Sequence, residues 1–101
     1  MKIPYAIKRI YWFFQRGYRG YSDKDTWDFD YYLATVILGG LKQLKKYSHS
    51  AEPTQEEYNI MIKTFELNLY MIDNPQSYEA LKPRFEAGFD LFKKYFNYLW
   101  D

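Results

Sequence analysis

Residues 23–46, DKDTWDFDYYLATVILGGLKQLKK, decide how this chain can fold. Wound as one helix, at about 100° per residue, they place Trp27, Tyr31, Leu33, Ala34, Val36, Ile37, Leu38, Leu41 and Leu44 on an apolar arc. That arc covers well over half of the circumference, so the segment is predicted as a central helix packed on several sides. Gly39-Gly40 in its middle is expected either to admit a close neighbour or to kink the helix. No alternating pattern of strand type competes over more than a few residues anywhere in the chain.

Upstream, Gly17-Tyr18-Arg19-Gly20-Tyr21 reads as a turn, Ser22 as an N-cap, and Asp23 and Asp25 as acids in the positive first turn of the helix. Pro4 suits the start of a preceding helix, whose core-facing stripe is Ile3, Ala6, Ile7, Ile10, Phe13, Phe14 and Gly17. Downstream, a polar stretch from Ser48 to Pro53 leads to Thr54 and Glu57, spaced as a capping box. The helix that follows gathers Tyr58, Met61, Ile62, Phe65, Leu69 and Ile72 on one side and ends at Asp73-Asn74-Pro75. Pro83 is expected to break or restart the last helix, which aligns Phe85, Phe89, Phe92, Phe96, Leu99 and Trp100. The predicted architecture is an all-α, compact bundle of about four helices in one domain spanning residues 1–101, with helices near 4–16, 23–46, 55–72 and 83–99 and a short helical turn around 76–81.

Composition narrows the function classes. Apolar residues form 48% of the 101 positions and aromatics 23%, which excludes a disordered chain. The net charge of +1 provides no global attraction to nucleic acid or to an anionic membrane. Without cysteine there is no disulfide, thiolate nucleophile or thiolate metal site. The longest uncharged run, Tyr31 to Leu41, would reach only about 17 Å as a helix against about 30 Å of hydrocarbon. Lys8 and Arg9 interrupt the N-terminal apolar stretch, so no signal peptide is expected.

Two constellations could carry binding. Tyr5, Arg9, Trp12 and Arg16 recur every three or four residues on the first helix, opposite its core-facing stripe. Rings alternating with guanidinium groups suit an anionic, planar partner or a protein hot spot, unless the rings simply pack under another helix while the arginines reach solvent. Asp30 falls inside the apolar arc of the central helix, where a carboxylate needs a partner, a raised pKa or a wet cavity. It either pairs with Arg16, Arg19 or a tyrosine to fix helix packing, or sits at the bottom of a pocket recognising a cation, hydroxyl or amine. Residues 1–20 hold Lys2, Lys8, Arg9, Arg16 and Arg19 with no acid, and Asp23, Asp25, Asp28 and Asp30 follow directly. This acidic cluster argues against a nucleic-acid strand, and Arg16 and Arg19 can pair with it instead. Ile60, Leu67 and Met71 form a second apolar line, covered by another helix or by a second subunit in a homodimer or higher oligomer.

Enzymatic machinery is thin. His49, the lone histidine, lies in the polar stretch, and Gly17 and Gly20 lack the spacing, lysine and strand of a phosphate loop. Asp23 and Asp25 are explained by the helix dipole as well as by Mg²⁺. The expectation is no catalysis, no cofactor and no metal.

The segments RGYRGYSDKDTWDFDYYLATVILGGLKQLKKY (16–47) and EAGFDLFKKYFNYLWD (86–101) together resemble a group of small, uncharacterised proteins of tailed bacteriophages. Those proteins pair a "GYSD-D-W-DYYLA" helix with a "GLxLFxKYFxxLWD" C-terminus. The resemblance covers about half of the chain and implies a phage accessory protein acting in the host bacterial cytoplasm, with no reaction or cofactor to carry over. Combined with the residue reading, it suggests a non-enzymatic binding protein. The first form is an inhibitor of a host factor, such as a defence component, that docks through Tyr5, Arg9, Trp12, Arg16 and Arg19. The alternative is an oligomeric sponge for a nucleotide-type immune signal, a cyclic oligonucleotide or NAD-derived molecule, held between rings with Asp30 or a tyrosine hydroxyl on the sugar. An enzyme acting on such a signal has the least support.

Overall fold

Five α-helices and two 3₁₀ turns make up the computed structural model, which describes residues 4–48 and 51–99, and no strand occurs among these residues. The helices are α1 (Tyr5–Arg19), α2 (Asp23–Trp27), α3 (Phe29–Tyr47), α4 (Gln55–Asp73) and α5 (Tyr78–Tyr95), with 3₁₀ turns at Pro75–Ser77 and Phe96–Tyr98. The chain is all-α, as expected. Ile3, His49 and Trp100 lie outside the described residues.

The single helix expected over 23–46 is two. Ser22 and Asp25 close a reciprocal capping box that starts α2, and the backbone leaves helical geometry at Asp28 (φ −126°, ψ 56°). The Asp28 carbonyl then accepts from Tyr32 N–H at 2.9 Å, which begins α3. At the other end, Pro83 lies inside α5 rather than at its start. The turn at Pro75–Ser77 already launches this helix at Tyr78, so the proline removes only one backbone bond, the one to the Glu79 carbonyl.

The described residues group into two compact units, one ending at Tyr32 and one beginning at Leu33. The second holds the apolar core: Ala34 and Leu41 of α3, Tyr58, Met61, Ile62 and Phe65 of α4, and Phe92 and Tyr95 of α5. The Phe65 ring meets Phe92 edge-on at 4.9 Å between centroids and also touches Phe85 and Phe89. The helices α4 and α5 approach closely at Thr64 and Gly88, where a Cβ added to Gly88 would lie 1.8 Å from Thr64 Oγ1. Gly88 is therefore the glycine that packing requires. Gly39 and Gly40 face open space within a continuous α3, so they neither admit a neighbour nor break the helix. The Thr54–Glu57 capping box starts α4 as predicted, and Glu57 Oε2 accepts from the Tyr95 hydroxyl at 2.6 Å, joining the cap to α5.

Of the second apolar line on α4, Met71 is buried, Leu67 half-buried and Ile60 exposed. The last two border an open groove between α4 and α5. No helix among the described residues is long and apolar enough to cross a membrane.

Candidate functional site

In the first unit α1 is held to α2 by polar groups and by a cluster of rings. Gly20 ends α1 with φ +87°, a left-handed conformation that favours glycine, and its N–H donates to the Arg16 carbonyl at 2.8 Å. The chain can then turn directly into Ser22, whose hydroxyl accepts from Asp25 N–H at 3.2 Å while Asp25 Oδ2 accepts from Ser22 N–H at 2.8 Å. Asp25 is only 8% exposed, and Arg16 closes a two-bond fork on it, Nη2 to Oδ1 at 2.6 Å and Nε to Oδ2 at 3.0 Å. That fork, with help from the Ser22 N–H, holds the Asp25 carboxyl below the ordinary carboxylate range and raises the Arg16 guanidinium. Arg19 donates to Asp23 Oδ1 at 2.6 Å, and Gln15 donates to Asp23 Oδ2 at 2.9 Å. Gln15 first, then Arg19, lowers the Asp23 carboxyl as well.

Trp12 is the buried residue of α1, at 9% exposure. Tyr5 and Trp27 meet its ring edge-on, at 5.8 and 5.6 Å between centroids. Lys24 Nζ lies 5.2 Å from the Trp12 ring centre and donates to the Tyr5 hydroxyl at 3.0 Å, which lowers the pKa of that phenol.

On the first helix the structure favours the second of the two readings, with the ring of Trp12 packed under another helix, here α2, and it departs from the core-facing stripe expected on the other side. Of the stripe read as a docking surface, Trp12 is enclosed, Tyr5 and Arg16 stay exposed but are held by Lys24 and Asp25, and only Arg9 is left open; Arg19 is paired with Asp23. The stripe predicted as core is bare, with Phe13 at 69% and Phe14 at 67% exposure and Ile7 and Ile10 more than half exposed. The five residues of α2 can shelter one ring on α1 but cannot cover a face four turns long.

Asp30 also differs from expectation. It is exposed, and its Oδ1 accepts from the N–H of its neighbour Tyr31 at 2.8 Å. The buried, arginine-paired carboxylate is Asp25. The break at Asp28 explains the exchange, because residues on either side of it no longer share one helical phase, and Trp27 is exposed rather than part of the arc.

Of the six residues singled out by the sequence, Tyr5, Trp12, Arg16 and Arg19 meet α2 or the turn before it, Arg9 stays on the open side, and Asp30 stands apart. Ala6, Arg9, Ile10, Phe13, Phe14 and Arg16 line an open groove of about 690 Å³ along α1. Arg9 pairs with no carboxylate among the described residues. Sequence reasoning missed Ile7, Ile10, Phe13 and Phe14 as surface residues. No sequence signal marks them, because the break at Asp28 that shortens the helix facing α1 shows only in the structure.

Comparison of the chain with protein-family models, with curated proteins and with solved structures finds no match. The described residues include no group of three or more acids or histidines placed to hold a metal ion.

Proposed function

We propose that this protein works by binding rather than by catalysis, docking the bare face of α1 onto a partner protein. One observation carries the reading: Ile7, Ile10, Phe13 and Phe14, on a single side of one helix, remain in water although the chain has an apolar core elsewhere. Counting from Phe13 round to Tyr11, the uncovered apolar sector spans about 160° of the helix. Contiguous apolar surface rimmed by polar groups is characteristic of interaction sites, and a helix face presented in this way fits a groove on another protein. Arg9 borders the sector without a carboxylate partner among the described residues, so the partner is a protein with an apolar groove edged by acidic residues. The resemblance to small proteins of tailed bacteriophages points to a protein of the infected bacterium, a defence component among them, reached in the host cytoplasm. The sponge reading has less support, because Tyr5, Trp12, Arg16 and Arg19 are occupied within the chain.

A photoreactive phenylalanine analogue at Phe13, with the same analogue at exposed Tyr70 of α4 as control, tests the proposal in the bacterial host. The expected result is one host protein cross-linked from position 13 and not from position 70. Its affinity, remeasured with purified components, should fall at least about 100-fold in an Ile10→Asp/Phe13→Asp variant with an unchanged circular dichroism spectrum, and should also weaken as salt rises. Cross-links only to a second copy of this chain, or equal capture from both positions, would overturn it.

A further inference from the structure

A groove of about 540 Å³ runs between the C-terminal turns of α3 and the first turns of α4, lined by Lys42, Lys45, Lys46, Gln55, Asn59 and Ile62. Three of these six residues are cations and none is an acid. The lysines form no ion pair with a carboxylate among the described residues, and α3 has no acid after Asp30 in its first turn. Lys45 and Lys46 follow Lys42 by three and four positions, so the ammonium groups are neighbours on the helix surface and repel one another. The negative C-terminal end of α3 offsets part of that repulsion, but this effect fades within the last turn, and Lys42 lies beyond it. The groove is braced by Gln55, whose Nε2 donates to the Lys45 carbonyl at 2.9 Å and ties α4 to α3. Asn59 adds a neutral donor and acceptor one turn along α4, and Ile62 adds an apolar floor.

We propose that this groove binds the phosphate chain of a nucleotide. Three mobile point charges match several phosphate groups in series. A planar carboxylate would call for the fixed fork of an arginine, and none lines the groove. The volume falls within the range of small-molecule sites, and Ile62 offers a surface for the flat part of the ligand. The site shares no residue with the bare face of α1, so either proposal can fail alone.

The test is a nuclear magnetic resonance titration of the ¹⁵N-labelled full chain with ATP, tripolyphosphate, adenosine and a single-stranded oligonucleotide at equal phosphate concentration. ATP and tripolyphosphate should shift the amide signals of residues 42–47 and 55–59 and saturate with Kd below about 1 mM, while adenosine leaves them in place. Lys42→Gln combined with Lys45→Gln should weaken ATP binding at least about tenfold with an unchanged circular dichroism spectrum, whereas Lys93→Gln on α5 should not. The proposal fails if adenosine binds as well as ATP, if the oligonucleotide binds more tightly per phosphate, if the shifts map elsewhere or do not occur, or if the double variant loses no more than Lys93→Gln.

Discussion

Phe65 and Phe13 are the same residue type, each within the apolar stripe of its helix, yet one is 3% exposed and the other 69%. The difference lies in what each helix has to pack on. From Leu33 onward α4 has α5 along its length, close enough at Thr64 and Gly88 for rings on both helices to interlock. Up to Tyr32, α1 has only a five-residue helix, and it is secured by a carboxylate–guanidinium fork, a helix cap and one buried tryptophan. Core formation absorbs apolar residues in the first case. In the second, polar contacts hold the elements together and leave the apolar residues of α1 uncovered by α2.

The sharpest way to break the comparison is at the α4–α5 crossing. Gly88→Ala places a methyl group against the Thr64 side chain and should cost about 3 kcal/mol, read as a fall in denaturation midpoint. Adding Thr64→Ala should recover part of the loss, since the Oγ1 and Cγ2 atoms that clash disappear. A Gly88→Ala chain that melts like the parent would show that the helices are further apart than described.

Next in size is the polar anchor of α1. Asp25→Ala removes the capping-box arm and the Arg16 fork together and should cost about 2 kcal/mol at neutral pH. Because the folded Asp25 carboxyl lies below its unfolded value of about 3.9, its contribution is complete above that pH and disappears as pH falls through the folded value. Denaturant titrations at pH 7 and pH 3 should therefore show the parent and Asp25→Ala converging in acid. A gap that stays constant would mean that the ion pair contributes nothing.

A smaller effect marks the second unit at the opposite end of the pH scale. The Glu57 carboxylate that accepts from Tyr95 pushes this phenol up to about 12, so its contribution is complete below the unfolded value of about 10 and fades as pH rises toward 12. Tyr95→Phe should lower the denaturation midpoint at pH 8, with the gap to the parent narrowing above pH 10. The smallest effect belongs to Asp30→Ala, which should change stability by less than about 0.5 kcal/mol because the side chain is exposed and meets only its neighbour's N–H. A loss comparable to that of Asp25→Ala would restore Asp30 as the buried carboxylate.

Local signals in the sequence proved legible wherever the responsible atoms lie within one turn of each other. The caps at Ser22 and Thr54 and the apolar stripe of Tyr58, Met61, Ile62 and Phe65 follow from spacing alone. The pairing of Arg16 and Arg19 with the acidic cluster was also within reach, since these groups flank one short turn. Phase across a break was not legible. A single non-helical residue at Asp28 disconnects Trp27 from the arc that follows and exchanges Asp30 for Asp25 as the enclosed acid. Nor could amphipathicity say which side of α1 turns inward, because a helical wheel shows that a helix has an apolar face and not whether a partner long enough to cover it exists. Lys42, Lys45 and Lys46 carry no signal of a site in the sequence, because the other wall of their groove comes from α4.

The orientation of α1 is the claim on which the binding account depends, and the absence of cysteine makes it directly measurable. Single-cysteine variants Phe13→Cys and Met61→Cys, at low micromolar concentration in native buffer, should react with a thiol reagent at very different rates. The thiol at position 13 should label at close to the rate of an unfolded peptide, and the thiol at position 61 should be protected by orders of magnitude. Equal protection of the two thiols, in a chain that sediments as a monomer, would contradict the account, because the apolar side of α1 would then be core.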